Sequence, residues 1–118
     1  MIQSILGIDD DTGLLRAMAR IFQSSGACHF ETADNGIKGL ELFDRRRFDL
    51  VITDILMPGL DGRDVARYVK RTTRGAVPVI GMSGTPGLAT GWMFDAVLYK
   101  PFDTWSLKQV LRDFGIFL

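Results

Sequence analysis

The sequence predicts an α/β protein built on a doubly wound, five-stranded parallel sheet. Two observations favour this fold. Five short apolar runs are typical of strands, and segments whose apolar residues recur at helical spacing separate them. Parallel strands need crossover connections, which helices supply, and both faces of such a sheet are then covered. Since 118 residues make one ordinary domain, we expect residues 1–118 to form a single unit.

The first strand and the first helix are separated by an acidic cluster. Residues 2–8 form the predicted strand, and three consecutive aspartates at 9–11 follow it. Asp11 is a suitable N-cap for the helix, which residues 24–26 end. One cap explains only one of the three aspartates. Residues 28–33 then alternate in hydrophobicity, as expected of an edge strand.

The second helix opens at Asn35-Gly36 and ends in the basic run of residues 45–47, where cations favour the helix dipole. We interpret this run as a solvated helix end rather than a binding site. The third strand follows as a short β-branched apolar run and ends at Asp54. The second helix is predicted to present three apolar residues on one face, namely Ile37, Leu40 and Phe43.

The second half of the chain continues the alternation of strands and helices. Either Asp61 or Asp64 can cap the third helix, and residues 77–82 form the fourth strand. Residues 84–95 are rich in glycine and leave room for at most a turn or two of helix. Residues 96–99 form the fifth strand. The final helix is defined by apolar residues at i, i+3, i+4 and i+7: Leu107, Val110, Leu111 and Phe114.

The bulk composition excludes several classes of protein. Lysine plus arginine and aspartate plus glutamate number 14 each, so the zero net charge gives no reason to expect nucleic acid or a membrane as partner. The single cysteine, Cys28, cannot form an internal disulfide. No secretory signal and no apolar run of membrane-spanning length is visible in the sequence. We therefore expect a cytoplasmic protein.

Polar side chains cluster where the predicted strands end, and the functional site of a doubly wound sheet lies at that edge. This rule gathers Asp9 and Asp10, Asp54, Ser83 and Lys100. Three carboxylates, one lysine and one hydroxyl suit a hard cation such as Mg²⁺ together with a phosphoryl group. One carboxylate can then act as a nucleophile and form an acyl phosphate. The alternative, a buried ion-pair network, would leave too many acids unpaired.

These residues carry a resemblance to a known family. The acidic pair, the Asp-x3-Pro-x3-Gly pattern at 54–62, Ser83 and the Lys-Pro-Phe triplet at 100–102 make the chain resemble the receiver domain of two-component response regulators, the CheY-like superfamily. The resemblance covers nearly all of the chain. It implies the flavodoxin-like strand order 2-1-3-4-5 and a cis peptide bond before Pro101.

The resemblance also implies a phosphorelay role. Asp54 would accept a phosphoryl group from a histidine kinase or a histidine phosphotransfer protein. Mg²⁺ would be bound directly by Asp10, mainly through water by Asp9, and also by Asp54 and the backbone carbonyl of Leu56. Such a domain is not an enzyme toward other molecules, because it catalyses only its own phosphorylation and dephosphorylation. It would be a monomer or a weak dimer.

The implied switch departs from the usual pattern. Lys100 would pair with the acceptor carboxylate at rest and with a phosphoryl oxygen afterwards, and Ser83 would move to bond another phosphoryl oxygen. Family members usually have an aromatic switch residue where this chain has Val97. Tyr99 lies on the same strand face by alternation, so we expect Tyr99, or Trp92 from the preceding loop, to take over that role.

The segment before the fifth strand is the second departure. Only sixteen residues separate Ser83 from Lys100, which predicts a shortened or irregular fourth helix with raised mobility around residues 86–91. The face that many receivers use for dimerisation or output would therefore be remodelled.

Other functions fit the residues less well. A haloacid-dehalogenase-like phosphatase would need a second acid at the position of Leu56, and a nucleotide or flavin binder would need a glycine-rich phosphate loop. A receiver-like interaction module that is never phosphorylated, or a receiver excised from a hybrid kinase or multidomain regulator, remains as the alternative.

Overall fold

The structure is a computed structural model that describes residues 4–26, 28–85, 87 and 93–118. Within these residues it contains five strands and four helices. Their bounds, in chain order, are β1 (Ser4–Ile8), α1 (Thr12–Ser25), β2 (His29–Ala33), α2 (Gly36–Arg45), β3 (Leu50–Asp54), α3 (Gly62–Thr73), β4 (Val79–Ser83), β5 (Ala96–Tyr99) and α4 (Thr104–Arg112).

The strands form one parallel sheet in the order β2-β1-β3-β4-β5. This confirms both the predicted fold class and the strand order that the resemblance implied. The order reverses at β1, so that β1 and β3 are neighbours although α1, β2 and α2 separate them in the chain. The carboxyl ends of these two central strands therefore lie side by side.

Two apolar layers cover the sheet. On one face Phe22 of α1 and Leu107 of α4 pack with side chains of β1, β3 and β4. On the other face Val65 and Val69 of α3 pack with the opposite side chains of the same strands, and residues of α2 complete this layer. Every residue of β3 is buried, as expected of a central strand that is covered on both faces.

The predicted helix caps are confirmed. Asp11 accepts a hydrogen bond from the backbone N–H of Leu14 at 3.1 Å, and Gly26 ends α1 in the left-handed conformation with φ of 64°. Asp61 and Asp64, which the sequence offered as alternatives, act together. Asp61 is the N-cap of α3, and Asp64 accepts a hydrogen bond from the N–H of Asp61 at 3.1 Å, which completes a capping box.

The predicted inner face of α2 is wrong at Ile37, whose side chain is 63% exposed. The buried residues of this helix are Gly36 and Gly39, while Leu40 and Phe43 pack against the core as expected. Apolar periodicity counts only side chains, whereas here the absence of side chains lets the helix approach the sheet closely. The helix is therefore rotated from the orientation that its apolar residues suggested.

Two boundaries also differ from the sequence prediction. β4 covers Val79–Ser83 rather than residues 77–82, because Pro78 has no N–H to donate and the N–H of Val79 donates to a carboxylate oxygen of Asp95 at 2.8 Å. Helix α4 ends at Arg112, so Phe114 lies beyond it but still packs against the core.

Part of the remodelled segment lies outside the described residues. These are residues 86 and 88–92, which include Trp92 and most of the stretch for which mobility was expected. The other residues of 84–95 lie in turns, bends or irregular backbone. The shortened fourth helix therefore stays a prediction. None of the helices in the described ranges is long and apolar enough to cross a membrane.

Candidate functional site

Three carboxylates meet at the carboxyl edge of the sheet. Asp9 follows β1, Asp54 is the last residue of β3, and Asp10 lies beside them. Each offers one oxygen, and these three oxygens lie within 4.8 Å of one another. Asp9 is fully buried and Asp54 is 7% exposed, whereas Asp10 is exposed to solvent. The strand-end rule thus predicted this cluster correctly.

Lys100 joins the cluster from the end of β5. Its Nζ donates a hydrogen bond to Oδ2 of Asp9 at 2.7 Å and lies 3.2 Å from Oδ1 of Asp54. The other oxygen of Asp9 accepts a hydrogen bond from the backbone N–H of Asp11 at 2.9 Å. The lysine thus bridges two of the three carboxylates. The peptide bond between Lys100 and Pro101 is cis, as the resemblance implied.

The electrostatics of the cluster show an excess of negative charge. Burial raises the pKa of Asp9 above its ordinary value, and Lys100 only partly opposes this effect. Burial, followed by the charge of Asp9, likewise raises the pKa of Asp54. Burial alone lowers the pKa of Lys100, but its hydrogen bond with Asp9 and the charges of Asp9 and Asp54 hold the pKa above the usual value. One ammonium therefore does not neutralise three carboxylates.

This donor set fits a metal ion. Carboxylate oxygens are the ligands that hard divalent cations prefer, and a cation would oppose the burial and the charge of Asp9 that together raise the pKa of Asp54. The acidic cluster of Asp9, Asp10 and Asp54 can therefore hold a metal. Leu56, the fourth residue expected to contribute a ligand, lies in the loop after β3, with its side chain 49% exposed.

Ser83 ends β4 and is 2% exposed. Its Oγ donates to the carbonyl of Thr85 at 2.9 Å and accepts from the N–H of Thr85 at 3.0 Å. The hydroxyl is thus hydrogen-bonded to its own loop in this structure. The backbone N–H of Lys100 donates to the carbonyl of Ser83 at 2.7 Å, which ties the two expected site residues together through their main chains.

The two candidate switch residues of β5 differ in exposure. Val97 is partly buried and pairs with Gly81, whereas Tyr99 is 53% exposed and lies opposite Ser83 in the parallel register. Tyr99 is therefore the residue of β5 that neighbours the Ser83 position.

Two close backbone approaches around the loop that follows Asp54 were not predicted from the sequence. A Cβ atom on Gly62 would overlap the carbonyl oxygen of Asp54, and one on Gly36 would overlap that of Leu60. Gly62 belonged to the recognised pattern, but Gly36 was interpreted only as a helix start. A glycine directly after a helix cap was the available signal, because such a position does not itself require glycine.

Comparison with known proteins decides the family. The family model described as response regulator receiver domain matches residues 5–112. The chain belongs to this family. Receiver domains of response regulators are regulatory, and they interact with histidine kinases or phosphotransfer proteins.

Curated relatives of this receiver domain differ in length. It is 27% identical over 124 residues to sporulation initiation phosphotransferase F of Bacillus subtilis, with 97% of this chain and 94% of the relative covered. It is 32% identical over 114 residues to the transcriptional regulatory protein GlrR of Escherichia coli, with 92% of this chain covered. The receiver domain spans only 25% of GlrR and 50% of response regulator Rre1 of Synechocystis.

Solved structures show the same fold. The chemotaxis protein CheY4 of Vibrio cholerae matches with a TM-score of 0.86 at 22% identity, covering 96% of this chain and 98% of that one. The response regulator TrrA of Thermotoga maritima was solved in complex with Mg²⁺ and BeF. It matches with a TM-score of 0.83 at 28% identity, covering 95% of this chain and 98% of that one.

Proposed function

We propose that this receiver domain, comprising residues 1–118, accepts a phosphoryl group on the carboxylate of Asp54 and uses Mg²⁺ to do so. The donor is a phosphohistidine of a histidine kinase or a histidine phosphotransfer protein. One observation carries the proposal: Asp9, Asp10 and Asp54 converge within 4.8 Å, and Lys100 bridges two of them. A purely structural role would not require so much uncompensated negative charge.

The proposed step is an in-line displacement at phosphorus. An oxygen of Asp54 forms a bond to phosphorus while the bond from phosphorus to the imidazole nitrogen of the donor breaks. The electron pair of that bond stays on the imidazole, which takes up a proton. The ionised carboxylate is a far stronger nucleophile than the protonated acid, so the raised pKa of Asp54 opposes the reaction unless cations offset it.

Mg²⁺ would be held by Asp9, Asp10 and Asp54, with the backbone carbonyl of Leu56 as a further ligand. When bound, the ion would neutralise negative charge on the oxygens of the transferring phosphoryl group. The three carboxylates keep the site selective for a cation by their combined charge. Asp54 combines the roles of ligand and nucleophile.

Lys100 and Ser83 are proposed to stabilise the phosphorylated state. Lys100 already lies 3.2 Å from Oδ1 of Asp54, so its ammonium can bind a phosphoryl oxygen attached there. Ser83 would exchange its two hydrogen bonds with Thr85 for one with another phosphoryl oxygen, and draw the loop inward.

Val97 stands where family members usually have the aromatic switch residue. Tyr99 is proposed to take over that role and to change its position on phosphorylation, with Trp92 as the alternative. The support is the register, which places Tyr99 opposite Ser83, together with its 53% exposure. An exposed ring gains apolar burial if it turns inward, and this gain can bias a two-state equilibrium.

The experiment is incubation with Mg²⁺ and acetyl phosphate followed by intact mass spectrometry. Wild-type protein should gain the mass of one phosphoryl group, and omission of Mg²⁺ should abolish the gain. The variant Asp54→Asn should gain none, whereas Asp44→Asn, which alters an aspartate on α2 away from the site, should react as wild type does. An adduct that survives Asp54→Asn would refute the proposal, and so would the absence of any adduct on wild-type protein.

A further inference from the structure

The loop between β3 and α3 is fixed at both ends by backbone hydrogen bonds. Where it begins, the N–H of Ile55 donates to the carbonyl of Met82 at 2.9 Å. Where it ends, the N–H of Gly62 donates to the carbonyl of Ile55, also at 2.9 Å. These bonds hold the points at which the loop leaves the sheet and enters the helix. The rest of the loop, from Leu56 next to the fixed Ile55 to Leu60 and Asp61, must be placed by other contacts.

Two glycines from different helices contact the backbone of this loop. A Cβ atom on Gly62 of α3 would overlap the carbonyl oxygen of Asp54 and lie 2.7 Å from Cα of Ile55. A Cβ atom on Gly36 of α2 would overlap the carbonyl oxygen of Leu60 and lie 3.0 Å from its Cδ2. A backbone carbonyl cannot rotate away as the end of a side chain can. The loop is therefore enclosed between α3 at its base and α2 at its far side.

Gly36 differs in this respect from Gly39, the other buried glycine of α2. A Cβ atom on Gly39 would meet the side chain of Ile8, beginning with its flexible terminal methyl group. Gly39 thus serves the packing of the helix on the sheet. Gly36 instead makes its close contact with the loop backbone, four residues after Leu56.

We propose that Gly36 is a positioning residue for the phosphoacceptor site. By letting α2 lie against the carbonyl of Leu60, it holds the loop where the carbonyl of Leu56 can face the acidic cluster. This inference rests on the proposed function, because it assigns Gly36 a part in the metal binding that phosphorylation requires.

Helix propensity alone predicts that replacing Gly36 by alanine stabilises α2, whereas the contact with the loop predicts a disturbance. Alanine is a better helix former than glycine, so Gly36→Ala would favour α2 if the residue served the helix alone. The overlap with Leu60 requires instead that the loop or the helix move. The sign of the effect on the loop therefore separates a positioning role from a role in the helix.

The test compares wild-type protein with Gly36→Ala and with Phe43→Leu as a matched control on the same helix. Phe43 stacks on Phe48 with 6.4 Å between ring centroids, at the end of α2 away from the site. The control therefore loosens α2 without touching the loop. Two quantities are measured: the Mg²⁺ concentration that gives half-maximal phosphoryl uptake from acetyl phosphate, and the amide hydrogen exchange of Ile55 and Gly62 in Mg²⁺-free protein.

For Gly36→Ala we expect the half-maximal Mg²⁺ concentration to rise about tenfold, the size typical for loss of a group that orients a metal ligand. Uptake at saturating Mg²⁺ should change much less. Exchange at Gly62 should be faster than in wild type. Phe43→Leu should lower overall stability while leaving the Mg²⁺ dependence as in wild type and changing the exchange of both amides only as far as that loss of stability requires.

The outcomes separate this inference from the function on which it rests. If wild type takes up phosphate and Gly36→Ala matches it in Mg²⁺ dependence and exchange, the inference is overturned and the function stands. If wild type takes up none, the proposed function fails, and unchanged exchange at Gly62 would overturn the loop contact as well.

If Gly36→Ala does not fold, Asn35→Ala replaces it. This variant removes the cap of the first turn, a 2.9 Å hydrogen bond to the N–H of Lys38, without added bulk. It should produce the same changes to a smaller degree, and their absence would overturn the inference.

Discussion

Lys100 donates its short hydrogen bond to Asp9 at 2.7 Å and lies farther, at 3.2 Å, from the carboxylate of Asp54. Asp9 is the fully buried member of the acidic cluster, so it has the greater need of a cation that offsets desolvation. The resemblance alone implied pairing with Asp54. The observed arrangement leaves the Asp54 carboxylate only partly neutralised, so a further cation is needed to bring its raised pKa down.

Replacing Lys100 by alanine is expected to lower the free energy of unfolding at neutral pH by about 1–3 kcal/mol, because the buried Asp9 carboxylate loses its cation. Urea unfolding checks this value. The same variant should lose most phosphoryl uptake. Lys70→Ala is the matched control, since it breaks the ion pair with Asp95 at the opposite end of the sheet and should retain uptake. Wild-type uptake by Lys100→Ala would contradict the assigned role.

The pH dependence of stability should reflect the acidic cluster in metal-free protein. Burial raises the pKa of Asp9 and of Asp54 above the ordinary 3.8, so the folded chain binds these protons more tightly than the unfolded chain. Their destabilising contribution is absent well below pH 3.8, grows as the pH rises, and is complete above the raised folded pKa values. These two groups therefore make stability fall as pH rises through that window.

Asp54→Asn is expected to remove part of that fall and to raise the free energy of unfolding at neutral pH by roughly 1 kcal/mol. Chemical denaturation at several pH values, without metal, measures the difference between variant and wild type. The variant must be compared with wild type because Asp103 changes stability in the opposite direction. Hydrogen bonding from Ser106 lowers the pKa of Asp103, so its contribution makes stability rise with pH in both proteins. A variant with the same pH profile as wild type would show that Asp54 is not destabilising.

Mg²⁺ is expected to stabilise the folded chain, since only folding brings the three carboxylates together. At a concentration about 100 times the dissociation constant the gain is about 2.7 kcal/mol. Asp10→Asn should remove most of this gain but change metal-free stability little, because Asp10 is exposed. Thermal unfolding with and without Mg²⁺ measures both effects. Asp113→Asn, an exposed carboxylate after α4, should keep the full gain, and an equal gain in Asp10→Asn would exclude this residue as a ligand.

Tyr99 is predicted to change its environment when the site is occupied by a phosphoryl mimic. The chain has two tyrosines, so fluorotyrosine labelling gives two NMR signals. Adding Mg²⁺ and beryllofluoride should shift the Tyr99 signal. The Tyr68 signal should change little, because its hydroxyl is held by Asp44 between α3 and α2 at 2.7 Å. An unmoved Tyr99 signal with a bound mimic would leave Trp92 as the candidate reporter.

Features that depend on neighbouring residues were predicted well. Asp11 and Asn35 cap helices because a side-chain oxygen reaches an N–H three residues later, and this geometry is local. Asp9, Asp54 and Lys100 were also correctly predicted to lie together, since parallel strands all end at the same edge of the sheet.

The sequence by itself therefore determined the alternation of strands and helices, their caps, and which carboxylates and which lysine meet at the edge of the sheet. The tertiary structure alone decided which carboxylate Lys100 favours, that Ile37 is exposed, and that Gly36 meets the backbone of Leu60. The physical reason is distance along the chain. Lys100 and Asp9 are 91 residues apart, and whether the ammonium lies closer to Asp9, at 2.7 Å, than to Asp54, at 3.2 Å, depends on how whole elements pack. Periodicity and motif spacing carry no information on that scale.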